Sequence, residues 1–165
     1  MAGAKAEASA ETGAMTRRQF LEAAGLLVCG VTIGSSVLLT GCGSKPAPAI
    51  GADAFEVDGN LVTVMLAKAP ELATVGGSAS ITSDSPQVYL VIARTAEDGF
   101  VVVSNRCTHR GKAIVYDGET GHFMCVSGKS EFRLDGTVVR GPADRPLRTY
   151  RWRVEDGRLI IDLTT

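Results

Sequence analysis

The sequence lacks any marked excess of charge of one sign. Its 17 basic and 18 acidic residues give a formal net charge of −1. Proteins that bind nucleic acid or anionic surfaces through overall charge depend on a strong basic excess. The charge balance therefore gives no reason to expect nucleic acid as a partner.

Cysteine and histidine are scarce. Of four cysteines, Cys29 and Cys42 lie in an apolar N-terminal stretch, while Cys107 and Cys125 lie in the body of the chain. Two body cysteines exclude a disulfide-dense scaffold, so they need a chemical explanation or form one bridge. The two histidines are His109 and His122.

The sequence also lacks the usual patterns of an independent enzyme. It shows no second domain for a substrate, no Ser-His-Asp arrangement and no paired carboxylates. The acids Asp117, Glu119 and Asp135 stand beside glycines and are interpreted as turn residues. We therefore expect no catalytic activity from the chain alone.

Residues 1–42 are predicted to be a targeting segment. Arg17 and Arg18 precede an uncharged apolar run over residues 23–41. That order is typical of a signal sequence, and the paired arginines resemble a twin-arginine export signal. The run ends at Cys42 in a sequence similar to a bacterial lipobox, which predicts cleavage and acylation there.

Two points about this leader stay open. The start is Met1 or Met15, and an uncut leader is long enough to cross a bilayer once as a helix. Either form predicts a domain tethered at the extracytoplasmic face of a bacterial cell membrane. Residues 43–54, which include Pro46, Pro48 and Gly51, are predicted to be a flexible linker to a domain at 55–165.

The body has no sustained helical periodicity and no internal repeat. Short β-rich segments recur instead, at Leu61–Leu66, Val88–Ala93, Phe100–Val103, Phe123–Val126, Thr149–Val154 and Leu159–Leu163. Five Asp-Gly pairs, at 58–59, 98–99, 117–118, 135–136 and 156–157, predict tight turns between strands. The predicted fold is all-β, an antiparallel β-sandwich or small barrel.

Cys107, His109 and Cys125 form the candidate metal site. The first two residues share one loop, and Cys125 follows on the far side of a predicted hairpin. A thiolate and an imidazole on two opposed loops suit a [2Fe–2S] cluster in which two cysteines hold one iron and two histidines hold the other.

Several motifs of the body resemble those of Rieske iron–sulfur proteins. That family has Cys-x-His-x-Gly in one loop, Cys-Pro-x-His-Gly-Ser in a second, and Gly-Pro-Ala-x-x-Pro-Leu in a third. The matching segments here are Cys107-Thr108-His109-Arg110-Gly111, Cys125-Val126-Ser127-Gly128-Lys129-Ser130 and Gly141-Pro142-Ala143-Asp144-Arg145-Pro146-Leu147. The resemblance implies a Rieske-like fold with a two-loop cluster-binding subdomain, in which Ser130 hydrogen-bonds the cluster and Pro142 lies beside it.

The second loop departs from the family pattern. Gly128 stands where the family has its second histidine, and Val126 and Lys129 replace a proline and a glycine. Lys112 and Ser127 stand where high-potential members have a disulfide. The resemblance therefore implies a [2Fe–2S] cluster but leaves one ligand position without an imidazole.

Three functions remain under consideration. The first is a one-electron carrier, or the electron-transfer subunit of an oxidoreductase, with a cytochrome or oxidoreductase subunit as partner. The second is a binding or structural module without a cluster, in which Cys107 and Cys125 form a disulfide. The third is a zinc site that adds His122, although its odd offset from Cys125 on a strand predicts that it faces the opposite way.

Overall fold

A computed structural model describes residues 45–84 and 86–164. The predicted export signal with Arg17 and Arg18, and the predicted acylation site Cys42, lie outside the described residues. Within the described part, no helix is both long enough and apolar enough to cross a membrane.

The described residues form eleven strands and two 3₁₀ turns. The 3₁₀ turns are Leu66–Lys68 and Pro70–Leu72. The strands are β1 (Phe55–Asp58), β2 (Leu61–Met65), β3 (Ser78–Asp84), β4 (Gln87–Ala96), β5 (Gly99–Ser104), β6 (Ile114–Asp117), β7 (His122–Cys125), β8 (Glu131–Phe132), β9 (Val138–Arg140), β10 (Thr149–Glu155) and β11 (Arg158–Asp162).

The strands make two antiparallel sheets. Seven strands lie in the order β1-β2-β11-β10-β5-β4-β3, and four lie in the order β6-β7-β8-β9. The prediction of an all-β antiparallel fold is confirmed. The four-stranded sheet is inserted between β5 and β10, and its connecting loops carry the candidate site.

All five Asp-Gly pairs lie where predicted, between strands that pair with each other. The clearest case joins β10 to β11, where Asp156 and Gly157 both have positive φ angles, of 47° and 72°. Two successive positive φ angles characterise the turn type that matches the twist of a two-residue hairpin.

Two hydrophobic cores lie against the sheets. The first is enclosed by the seven-stranded sheet and includes Val62, Ile92 and Leu159. The second lies between β4–β5 and the four-stranded sheet, and includes Phe123 and Phe132, which are paired across β7 and β8. The second core contains Cys107 and Cys125, so the candidate site is built on packed side chains.

The described part of the segment before β1, residues 45–54, differs from the flexible linker expected over residues 43–54. The Ile50 amide donates to the Ser80 carbonyl at 2.9 Å, and the Ser80 amide donates to the Pro48 carbonyl at 2.7 Å. Ile50 and Ala54 are buried in the first core. Proline and glycine suggested a spacer, but an extended chain of this composition also pairs with the edge of β3.

Candidate metal centre

The first site loop connects β5 to β6 and is folded back on itself. The Cys107 amide donates to the Lys112 carbonyl at 2.8 Å, and the Gly111 amide donates to the Cys107 carbonyl at 2.7 Å. The Ile114 amide donates to Asn105 Oδ1 at 2.8 Å, which closes the loop at its base. These bonds hold Cys107 buried and leave His109 exposed.

The second site loop connects β7 to β8 and is equally tight. The Cys125 amide donates to the Ser130 carbonyl at 2.9 Å, and the Gly128 amide donates to the Cys125 carbonyl at 2.6 Å. The Val126 amide donates to the Ala113 carbonyl at 3.0 Å, which joins this loop to the first. The third loop, after β9, is attached to the first by Thr108 Oγ1, which donates to the Arg145 carbonyl at 2.7 Å.

The three loops enclose a cavity of about 250 Å³. Its lining comprises Cys107, His109, Arg110, Lys112, Cys125, Ser127, Lys129 and Pro142. The structure therefore brings Cys107, His109 and Cys125 to one cavity, together with Pro142. Their roles at a metal stay predictions.

Cys107 and Cys125 are 3% and 2% exposed, and both are free thiols. The disulfide that the cluster-free alternative requires is absent from the structure. The Cys125 sulfur instead lies 3.1 Å from Ser127 Oγ, within hydrogen-bond distance.

His122 does not contribute to this cavity. Its Nδ1 lies 2.6 Å from Glu131 Oε1, on the face of β7 opposite to Cys125. Arg140 contacts the other oxygen of Glu131. Among the described residues, no three His, Cys, Asp or Glu side chains are placed to hold one metal ion together, and this includes Cys107, His109 and Cys125, which line one cavity without forming such a group. The alternative zinc site is therefore wrong, because alternation along β7 turns His122 away from Cys125.

Glu131 is the titratable group that these contacts perturb. The Arg140 guanidinium, followed by the His122 imidazole, hydrogen-bonds its carboxylate and holds its pKa below the ordinary value of 4.5. This cluster lies on the back of the site's sheet and supports β7, β8 and β9 instead of entering the cavity.

Comparison with known families decides the assignment. Residues 62–151, more than half of the 165, match the family model of the Rieske [2Fe-2S] domain. The matched range includes all three site loops and ends within β10. The chain belongs to the Rieske [2Fe-2S] domain family.

The relatives of this Rieske chain include iron-sulfur subunits of cytochrome b6-f complexes. It is 26% identical over 98 residues to the cytochrome b6-f complex iron-sulfur subunit of Chlorobaculum tepidum, covering 56% of this chain and 54% of that protein. It is 31% identical over 114 residues to cytochrome b6-f complex iron-sulfur subunit 1 of Synechocystis sp., covering 67% of this chain and 61% of that protein. The Rieske chain thus spans roughly half to three fifths of the length of these relatives.

Solved structures agree on the fold. In a complex of reduced oxygenase and oxidized ferredoxin in carbazole 1,9a-dioxygenase, the matching chain has a TM-score of 0.54 at 17% identity. The match covers 64% of the Rieske chain and 95% of that chain. At this identity the likeness concerns the fold alone, and it confirms the Rieske-like architecture. Family membership supports a Rieske-type electron-transfer protein and implies a [2Fe–2S] cluster.

Ser130 fits the implied cluster. It is 2% exposed, and its Oγ has no hydrogen-bond partner among the described residues. A buried hydroxyl without a partner costs about 1–3 kcal/mol. Ser130 directly follows Lys129, which lines the cavity, and a sulfur atom of a cluster would provide the missing acceptor, in keeping with the role that the family resemblance implies.

Gly128 does not fit the usual ligand set. Its φ is +68°, and a Cβ built on it would meet nothing within 4 Å. The position is therefore open, but it offers no donor side chain. Of the four ligand positions that the family resemblance implies, Cys107, His109 and Cys125 have the expected residue type and Gly128 does not.

The sequence places Arg110 and Lys112 near the tip of the first loop, where they could steer an acidic redox partner, although solvated loop charges are the commoner explanation. It does not indicate that cationic side chains line the cavity. Arg110, Lys112 and Lys129 all lie on its wall. Their positions on the two loops were evident, but the direction of a long side chain on a loop has no periodic signal. Lys129 could have been noticed because it replaces a glycine of the family motif.

Proposed function

We propose that this protein is an exported, membrane-tethered Rieske-type carrier that passes single electrons between partner proteins, alone or as a subunit of an oxidoreductase. The observation that carries the proposal is that Cys107, His109 and Cys125 all line one cavity, while the buried hydroxyl of Ser130, the residue after the cavity-lining Lys129, has no partner among the described residues. When bound, a [2Fe–2S] cluster would supply a one-electron site whose potential depends on its ligands and hydrogen bonds.

Each residue of the site has a distinct task in this proposal. The two buried cysteines would hold one iron, and the exposed His109 would hold the other. Ser130 would donate a hydrogen bond to the cluster, and the hydrogen-bonded loops keep the three ligand residues in position. With Gly128 at the fourth position, a cluster would need solvent or another group outside the usual set as its last ligand.

The proposed location rests on the N-terminal sequence. Arg17 and Arg18 followed by an apolar run support export by the twin-arginine route, and Cys42 supports lipid attachment at the extracytoplasmic face. An uncut leader would anchor the domain through a single span instead. Both forms leave the domain tethered to the membrane.

The proposed partners are a cytochrome or another subunit of an oxidoreductase. Two relatives are described as iron-sulfur subunits of the cytochrome b6-f complex, which supports a partner of the first kind. A tethered head that meets a donor and then an acceptor suits one-electron transfer.

The first test is the content of iron and acid-labile sulfide per chain, measured on anaerobically prepared protein together with its EPR spectrum after reduction. We expect about two of each per chain and a reduced-cluster signal. Cys107→Ser should abolish both. An iron-free wild-type protein with a Cys107–Cys125 disulfide in its mass spectrum would refute the carrier and favour the cluster-free module.

A second variant tests whether position 128 is a ligand position of the cluster. Gly128→His supplies an imidazole in open space at a backbone strain of roughly 1–2 kcal/mol. We expect it to shift the EPR g values and the reduction potential. Gly157→His is the matched control, because Gly157 also has open space and a φ of +72° but lies in the β10–β11 turn. Equal effects of both variants would mean that Gly128 is not a ligand position.

A further inference from the structure

The ends of the three site loops carry a concentrated positive charge. We call residues 105–112, 126–130 and 140–148 the loop end. Counted along the sequence, the loop end has seven basic residues and one acidic residue, whereas the other described residues have seven basic and fourteen acidic. The basic residues of the loop end are Arg106, Arg110, Lys112, Lys129, Arg140, Arg145 and Arg148. The near-neutral total charge therefore hides a strong asymmetry.

Some of these cations already have local contacts. Arg106 lies over the Tyr89 ring at 3.8 Å, and Arg148 lies over Tyr150 at 5.0 Å. Arg140 pairs with Glu131, and Arg145 lies 3.6 Å from Asp144. These contacts account for four of the seven basic residues.

The other three form what we call the cationic rim: Arg110, Lys112 and Lys129. All three are exposed and line the cavity of the candidate metal centre. Within residues 45–84 and 86–164, no acidic side chain pairs with any of them. Three like charges around one cavity repel each other, so the rim does not serve the stability of the domain.

An arrangement of this kind attracts a partner of opposite charge. Cations around a concave site focus the electric field at its mouth, and they raise the rate at which acidic molecules arrive there. The rim surrounds His109, the exposed ligand of the proposed carrier, which is where a redox partner has to approach. A flat anionic membrane over the mouth would instead close the site to that partner.

We infer that the cationic rim is the docking surface for the acidic face of a redox partner protein. This inference rests on the proposed electron-carrier function and adds the chemistry of its partner. The acidic remainder of the domain repels the same partner elsewhere, so electrostatics also orient the encounter.

The test uses a fluorescently labelled peptide of alternating Asp and Glu as the acidic probe, with binding followed by fluorescence anisotropy. The rim variant is Arg110→Gln/Lys112→Gln/Lys129→Gln. The control variant, Lys68→Gln/Arg153→Gln/Arg158→Gln, has the same change in charge outside the loop end. We expect the rim variant to lose at least tenfold in affinity at low salt and the control less than threefold. Added salt should weaken wild-type binding.

Three results would overturn the inference: no binding to the wild type, equal losses in both variants, or rim-dependent binding to phosphatidylglycerol vesicles without binding to the peptide. The last would assign the rim to a lipid surface. Circular dichroism checks that each variant is folded. The single Lys112→Gln variant provides a milder change if the triple variant misfolds. The iron and sulfide contents of the same samples separate failure of this inference from failure of the carrier proposal. Iron-free protein refutes the carrier proposal even where rim-dependent peptide binding is normal.

Discussion

Gly141 determines how closely the third loop approaches the second. Its φ is +99°, and a Cβ at this position would lie 2.6 Å from the carbonyl carbon of Lys129 and 2.7 Å from Cα of Ser130. Real Cβ atoms essentially never come within 3.0 Å of a heavy atom outside their own residue and its two chain neighbours. The obstacle is backbone, which cannot rotate away as a side chain does. Glycine at 141 therefore allows the third loop, which carries Pro142, to lie directly against the second loop at Lys129 and Ser130.

Gly141→Ala should destabilise the protein by about 3 kcal/mol or more, because it combines backbone strain with a clash against a fixed loop. The free energy of unfolding in urea measures the effect. Gly111→Ala is the control, since Gly111 has a φ of +66° but open space around its Cβ position. Its cost should stay at roughly 1–2 kcal/mol. Equal losses of stability in the two variants would show that the close approach of the two loops contributes nothing to the cost of Gly141→Ala.

The site residues differ in how far the sequence could predict them. Cys107, His109 and Cys125 were predictable as a group, because a hairpin places its two flanking loops side by side. The opposite direction of His122 followed from alternation along a strand. The partnerless hydroxyl of Ser130 depends on the packing of three loops, and loops have no period from which such packing could be inferred.

At the level of elements, one carboxylate connects three strands on the outer face of the four-stranded sheet. Glu131 on β8 is opposite Met124 on β7 and Arg140 on β9. Its side chain is 13% exposed, and it contacts both His122 and Arg140. A single residue thus links three short strands that have few backbone hydrogen bonds of their own.

This contact predicts a pH dependence of stability. The pKa of Glu131 lies below the ordinary 4.5 in the folded protein. Its contribution is therefore complete above pH 4.5 and is lost as the pH falls through the folded-state pKa. Glu131→Gln should lower the urea midpoint near pH 6, and the difference from wild type should shrink towards pH 3. Glu155→Gln, at a carboxylate whose side chain is 56% exposed, should change the midpoint little. A Glu131→Gln deficit that stays constant across this range would contradict the prediction.

The elements that sequence reasoning missed are those with weak patterns. All six predicted strands exist, with shifted ends, but β1, β3, β6, β8 and β9 were not predicted. β3 reads Ser-Ala-Ser-Ile-Thr-Ser-Asp, yet it pairs with β4 along its whole length. β8 and β9 have two and three residues, too few to show alternation. Tertiary pairing, not local propensity, makes these strands.

At the scale of the whole molecule, β4 and β5 connect the two cores. Leu90 and Ile92 on β4 face the first core, whereas Val91 and Ala93 face the second. β5 divides in the same way, with Val102 in the first core and Val103 in the second. The unbroken apolar run of β4 is what a strand buried on both faces requires. The loops of the candidate site therefore rest on a sheet that is part of the main domain.

Shared strands predict that the two cores unfold together. Ile92→Ala, in the first core, should cost about 2–5 kcal/mol, and Val91→Ala, in the second, about 2 kcal/mol. Because neighbouring residues of one strand face different cores, either variant should lower the midpoint of a single urea transition.

Tyrosine and tryptophan emission reports mainly on the first core, through Trp152, and far-ultraviolet circular dichroism reports on both sheets. Coincident curves from the two probes in both variants would show one cooperative unit. A separate early transition in Val91→Ala, seen by circular dichroism but not by Trp152, would mean that the four-stranded sheet and its site unfold independently of the sheet beneath them.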